Sequence, residues 1–307
     1  MERDAKIYIT GHRGLIGSAI LSKLKNEGYT NIVTKTSQDL DLTRQIEVER
    51  FFQAERPEYV FQLAARVGGI KANMMFSAKF IYENLAIQSN IIHSAYLCNV
   101  KKLLFFGCAC CYPCEYQKPM KEEYLLSDYL EPTNEAFAVA KIAGIKMCQA
   151  YNQEYNTNFI SAIPTNAYGP NDNFDLDDSH VISALIRKFH NAKTKGENNV
   201  VIWGTGKPIR EFIYVDDLAD ASIFLMEGYN KSDIINIGTQ EGVSIKELAY
   251  LIKEVVNFKG EIVFEKDKPD GMAYKVLDGE RLRNLGWQAK TSLKEGLLKT
   301  YDWYLKR

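Results

Sequence analysis

The apolar positions of this chain switch between two periods. Near the start, Ile7, Tyr8 and Ile9 form a short continuous apolar run that suits a strand buried on both faces, and residues 16–24 then carry a helical pattern. Between them Gly11, Gly14 and Gly17 stand at G-x-x-G-x-x-G spacing. Glycine there permits a tight turn, lets backbone N–H groups approach a pyrophosphate, and lets the helix pack closely on the strand. The order strand, glycine turn, helix predicts a dinucleotide site that includes Gly11, Gly14, Leu15, Ile16 and Gly17.

The same alternation continues. Strands are expected over 31–35, 58–65, 100–107 and 158–163, and helices over 43–54, 77–98 and 135–152. This order predicts an α/β fold, a doubly wound parallel sheet of the Rossmann type whose carboxyl edge carries the ligand. PTNAYGP at 164–170 breaks the pattern and marks the crossing from a first domain, 1–165, into a smaller one, 166–307. An acidic loop is expected over 172–178, and His180 opens a helix to His190. A helix beginning near Asp216 carries the segment 212–235 back to the first domain, and Ser244 is the expected N-cap of a later helix. There are no internal repeats.

Composition narrows the classes. A hydrophobic share of 46% over 307 residues supports a full core, and a formal net charge of −1 argues against a nucleic-acid surface. No apolar run is long enough to span a bilayer, and the opening MERDAK has no apolar leader, so a cytoplasmic protein without a membrane partner is expected. Six cysteines, four of them in CACCYPC, lack a second ligand pair at zinc spacing. Reduced thiols are expected and no metal.

At the end of the second strand, Lys35, Thr36 and Ser37 stand where the adenosine ribose is read; a cation with hydroxyls suits the extra phosphate of NADP. Asp41 and Leu42 follow, with Asp41 either receiving the adenine amino group or belonging to a helix start. Ala64 and Ala65 close the third strand on the cofactor side. Phe137 and Lys141, four apart, share one helix face, with small residues around them.

Taken in order, GHRGLIGSAI, AARVGGIKAN, the CYP after the fourth strand, EPTNEAFAVAKIAGIK, PTNAYGPNDNF, SHVISAL, VIWGTGKPIREFIYVDD and KPDG make the chain resemble the extended short-chain dehydrogenase/reductase family. Within it the resemblance is to the GDP-L-fucose synthases, over essentially the whole length. It implies NADP(H) as cofactor, a GDP-linked 4-keto-6-deoxy sugar (hexose or heptose) as substrate, and a homodimer in which helices 77–98 and 135–152 pair across a two-fold axis.

The resemblance also implies roles. Cys110 and His180 match the residues that move protons at C3 and C5, where the C4 ketone acidifies the hydrogens. Lys141 matches the lysine of a serine–tyrosine–lysine reduction set, but Phe137 stands at the tyrosine and Cys108 at the serine. A phenyl ring cannot donate a proton. Three explanations stay open: an engineered change at Phe137, which the conservatism of the substitution favours; a relative using water, Tyr112 or Cys108 as acid; or an epimerase that no longer reduces. A 4,6-dehydratase or 4-epimerase would need the tyrosine as well, and a silent nucleotide-sugar sensor would not need Cys110, His180 and Lys141.

By the same matching Arg210 meets the diphosphate, while Asn166, Val181, Leu185, Trp203 and Lys268 line the nucleotide-sugar pocket. Gly68, Gly69 and Ile70 frame the nicotinamide and sugar. Ser37 replaces an arginine, leaving Lys35 and Arg13 as the cations for a 2′-phosphate.

Overall fold

The computed structural model describes residues 1–175, 179–268 and 270–307. Residues 176–178 of the expected acidic loop, Pro269 of KPDG and the side chain of Ile70 lie outside that description. The chain runs β1 (Ile7–Ile9), α1 (Leu15–Asn26), β2 (Ile32–Thr34), α2 (Gln45–Glu55), β3 (Tyr59–Gln62), α3 (Ile70–Met75), α4 (Ser77–Leu97), β4 (Lys102–Phe106), α5 (Glu135–Tyr155) and β5 (Phe159–Pro164). It continues through β6 (Asn166–Tyr168), α6 (Val181–Lys195), β7 (Asn199–Trp203), β8 (Ile209–Tyr214), α7 (Val215–Gly228) and β9 (Ile235–Ile237). The last part holds β10 (Gly242–Ser244), α8 (Ile245–Val256), β11 (Glu261–Glu265), β12 (Tyr274–Lys275), α9 (Glu280–Asn284) and α10 (Leu293–Lys306).

Six strands form one parallel sheet in the order β2-β1-β3-β4-β5-β9. Alternation of side chains sends Ile7 and Ile9 into a core with Ile20, Leu24, Leu218 and Ala219 of α1 and α7, and sends Tyr8 into another with Val48, Phe52, Ile91 and Ile145 of α2, α4 and α5. Both faces are therefore covered, as a parallel sheet requires. The strand order reverses between β1 and β3, which places the ligand crevice at their carboxyl ends.

The third strand stops at Gln62 rather than reaching residue 65. Buried Thr10 explains this: its Oγ1 accepts from the N–H groups of Leu63 at 2.9 Å and Ala64 at 2.8 Å, which turns Ala64 and Ala65 out of the ladder and over the end of β1.

In the carboxyl-terminal part β8 pairs antiparallel with β10 and parallel with β12 and β6, and β7 pairs with β11. The stretch expected to be only a break thus contains β6. Residues 212–214 of the expected return belong to β8, and the return itself is made by α7 and completed by β9 beyond residue 235. Glu211 on β8 is fully buried where the two parts meet; its carboxylate accepts from Gln240 N at 2.6 Å and Leu277 N at 2.8 Å. At Ser244 the expected cap is a full capping box with Glu247. Among the described residues no helix is long and apolar enough to cross a membrane.

Candidate active site

The glycine turn is built by contact. Gly11 holds φ at +66°, and a Cβ on Gly17 would lie 2.3 Å from the Gly11 carbonyl oxygen, so strand end and helix start touch backbone to backbone. Gly14 is the N-cap of α1, with no side-chain cap and no acidic residue in the first turn. The N–H groups of Leu15 and Ile16 therefore head a positive helix end at the switch point of the sheet.

Near the end of β2, Asp39 stands among the cations expected there. Thr36 donates to it from both Oγ1 (2.7 Å) and N (3.1 Å), and those bonds, followed by the charges of Lys35 and Arg13, hold its carboxyl below the usual range. Burial, then Arg13, lowers the His12 imidazolium. Asp41 faces Thr43, whose N–H and Oγ1 donate to Oδ1 at 3.0 and 2.7 Å, with Arg44 3.6 Å from Oδ2. Its side chain sits in the turn before α2, as the second of its two expected roles requires. Leu42 lends its carbonyl to Asn90 Nδ2 at 3.0 Å.

Beyond β4 a single 3-10 turn carries Ala109, Cys110 and Cys111, with Cys108 at its start. Cys108 Sγ lies 3.6 Å from Cys111 Sγ. Lys141 of α5 is buried against them, its Nζ 4.7 Å from the centre of the Phe105 ring. Burial lowers the Lys141 ammonium, opposed by the neighbouring Cys108, Cys111 and Cys110. At Cys108 burial pushes the thiol up, but hydrogen bonds from Cys110 and Cys111 and the charges of Lys141 and Lys275 outweigh it, leaving the thiol well below its ordinary range. Cys110 is pushed up, first by its bond to Cys108. Of the neighbouring thiols, Cys108 is thus the one its surroundings favour as thiolate, having thiol donors and two cations near its sulfur.

Tyr112 is withdrawn as an alternative acid, because its buried hydroxyl donates to Asn236 Oδ1 at 2.6 Å beneath β9. Phe137 meets Phe80 edge to face at 6.3 Å between ring centres.

His180 is the N-cap of α6, one residue ahead of the expected helical turn, and its Nδ1 lies 3.8 Å from Asp172 Oδ1. Asp172 is buried and accepts from Ser183 Oγ and from Asn173 N. Arg210, on β8, donates to the Ile209 carbonyl at 2.8 Å and lies beside Gly271 and Asp270; burial lowers its guanidinium. Register pairs it with Lys275 on β12, and the charge of Lys275 acts on the thiol of Cys108. Asn166 Nδ2 donates to the Glu211 carbonyl at 2.8 Å.

Trp203 is 66% exposed at the end of β7, with Lys268 Nζ 5.6 Å and Lys188 Nζ 6.0 Å from its ring centre. The indole is therefore a surface side chain with two ammonium groups near its ring, not part of the core. Leu185 differs from Trp203. It is buried in the second part's core with Ile182, Ile186 and Phe189, and Val181 packs at that core's margin. Sequence spacing alone did not reveal Thr10, Asp39, Asp172, Lys188 or Lys275, because each acts across a long separation or a turn. Among the described residues no three His, Cys, Asp or Glu side chains are arranged to hold a metal ion.

A doubly wound sheet with a glycine turn at its switch point and a lysine–thiol cluster on the same edge defines a nucleotide-dependent enzyme class. The model of the NAD dependent epimerase/dehydratase family matches residues 7–238. GDP-L-fucose synthase 1 of Arabidopsis thaliana is 55% identical over 99% of this chain and 94% of its own length. A GDP-6-OMe-4-keto-L-xylo-heptose reductase from Campylobacter jejuni superposes with a TM-score of 0.94 at 42% identity, covering 100% of this chain and 99% of that one. A GDP-mannoheptose C4 reductase from the same organism, with NADP bound, gives 0.93 at 44% identity, with 99% of each chain covered. The chain belongs to the NAD dependent epimerase/dehydratase family and, within it, to the GDP-L-fucose synthases.

Proposed function

We propose that this chain is an NADP(H)-dependent enzyme that reduces C4 of a GDP-linked 4-keto-6-deoxy sugar, hexose or heptose, and exchanges protons at C3 and C5. The observation that carries this is the delivery of the glycine turn and the Cys108–Lys141 cluster, by β1 and β4, to one edge of one parallel sheet. Those strands are two positions apart, about 10 Å.

The residues present fit the cofactor. The backbone contact between Gly17 and Gly11 holds the turn tight, the N–H groups of Leu15 and Ile16 at the start of α1 suit a pyrophosphate, and Arg13 and Lys35, both near Asp39, suit a 2′-phosphate. When bound, NADPH supplies a hydride to C4. Lys141 favours negative charge on the C4 oxygen, which also acidifies C3 and C5. Cys110 and His180 are suited to moving protons there, the raised Cys110 thiol as a donor and His180, oriented by Asp172, as the partner base. Arg210 and Lys268 suit the diphosphate, and Trp203 the guanine.

Phe137 leaves the C4 oxygen without its positioned proton donor, so reduction is slow. The experiment compares this chain with Phe137→Tyr, using NADPH and a GDP-4-keto-6-deoxy-manno sugar in deuterated water. A rise of about 10²–10⁴ in NADPH oxidation is expected. Equal rates would mean that another group donates the proton. Deuterium at C3 or C5 without NADPH oxidation in either chain would make this an epimerase alone, and neither signal would reject the substrate class.

Exposed Tyr82 and Leu97 on α4, with Val139 and Tyr155 on α5, support a homodimer through these two helices, which also pack on each other within the chain. Six free cysteines suit a reducing compartment such as the cytoplasm.

A further inference from the structure

Cys108, Ala109, Cys110 and Cys111 spell C-x-x-C, and the structure closes that spacing into one turn. The Cys111 N–H donates to the Cys108 carbonyl at 2.9 Å, so the two Cα atoms sit one 3-10 turn apart, within roughly 7 Å. Disulfides bridge Cα separations of about 4.4–6.8 Å. The two sulfurs already lie 3.6 Å apart, and a bond of about 2.0 Å is reached by side-chain rotation without unwinding the turn.

The two thiols differ in what surrounds them. Cys108 is half-buried and has Lys141 and Lys275 near it, so it meets small solutes as the more ionised sulfur. Cys111 is fully buried, its S–H aimed at the Ala138 carbonyl 3.8 Å away, and the chemistry proposed above does not use it. An accessible ionised thiol beside a sheltered second thiol is the arrangement of an attacking and a resolving cysteine.

We propose that Cys108 and Cys111 form a reversible disulfide when the protein meets a peroxide, making this turn an oxidation site within the catalytic edge of the sheet. The Cys108 thiolate attacks one peroxide oxygen, the O–O bond breaks, and the departing hydroxide takes a proton to become water. Cys108 is then a sulfenic acid. Cys111 loses its proton, its sulfur attacks the Cys108 sulfur, the S–O bond breaks, and a second water leaves. Two thiols lose two electrons in all, and one peroxide becomes two waters. A dithiol reverses the reaction by exchange.

The bridge removes the negative charge beside Lys141 and tightens the turn that carries Cys110, so turnover stops while it is closed. That consequence rests on the proposed function; the bond itself does not.

The test uses the full chain without cofactor, treated with a stoichiometric amount of hydrogen peroxide, trapped with N-ethylmaleimide and weighed intact. A loss of about 2 Da and of two alkylation sites is expected, both reversed by dithiothreitol. The Cys110→Ser/Cys114→Ser variant must still lose about 2 Da. The Cys111→Ala variant must not, and instead gains about 16 or 32 Da at Cys108. Bridging in the Cys111→Ala variant, or its loss in the double variant, would assign the bond to another pair and overturn the proposal. So would a dimer linked between chains, or unchanged alkylation of Cys108. These masses decide the matter whether or not the chain turns over a GDP-sugar; inhibition is read separately as NADPH oxidation before and after dithiothreitol.

Discussion

Asp172 and His180 face each other at the start of α6, the carboxylate Oδ1 3.8 Å from the imidazole Nδ1, with Ser183 of the same helix donating to the other carboxylate oxygen. The carboxylate is buried and the imidazole is 59% exposed, so a fixed negative charge underlies a ring that reaches into solvent. A carboxylate at that position orients the ring.

Asp172→Asn is expected to slow deuterium incorporation at C3 or C5, because the ring loses the carboxylate that it faces. His180→Gln should cost about 10²–10⁴ in that exchange. An unchanged exchange rate in Asp172→Asn would remove Asp172 from any positioning role.

Trp203→Ala tests the proposed stacking of the guanine on this ring. Because the indole is mostly exposed, the melting temperature should hold, while loss of stacking on a base costs about 1–3 kcal/mol, or roughly 5- to 150-fold in KM for the GDP-sugar. An unchanged KM with a lowered melting temperature would make Trp203 a structural residue.

Two neighbouring glycines should respond differently. A Cβ on Gly17 would meet the Gly11 oxygen at 2.3 Å and His12 Cα at 2.9 Å, whereas one on Gly14 finds its nearest atom at 3.4 Å. Gly17→Ala is expected to destabilise by about 1–3 kcal/mol and to abolish NADPH binding in a fluorescence titration. Gly14→Ala should keep its stability within about 1 kcal/mol.

Lys102 gives a pH dependence of known sign. It is buried in β4, with Nζ donating to the Leu225 carbonyl at 2.9 Å and Asn230 Oδ1 at 3.1 Å, and burial lowers it from 10.5 to about 8. Below pH 8 both folded and unfolded chains hold the proton, and burying the charge costs its full amount. Between about 8 and 10.5 the unfolded chain binds more protons, so stability rises with pH. In denaturant titrations the difference between wild type and Lys102→Met should therefore shift in favour of wild type by up to about 3 kcal/mol across that window. A flat difference would show that Lys102 keeps its proton when folded.

Several features were legible in the sequence because their causes are local. The glycine spacing, the apolar run of β1, the Ser244 cap and the shared face of Phe137 and Lys141 all depend on residues within a few positions of one another, where helix and strand periodicity fixes geometry. Other features depend on strand order. Thr10 ends β3 early only because β1 and β3 are neighbours, and Lys275 reaches the thiols only because β12 pairs with β8. Leu185 and Trp203, equal candidates by sequence matching, separate into core and surface once α6 and β7 pack. Which thiol is lowered was likewise beyond reach of the sequence, since it depends on which sulfur the fold places among thiol donors and cations. Periodicity in the chain determined which elements form and what chemistry they carry; packing decided which side chains meet, because burial and charge act through space rather than along the backbone.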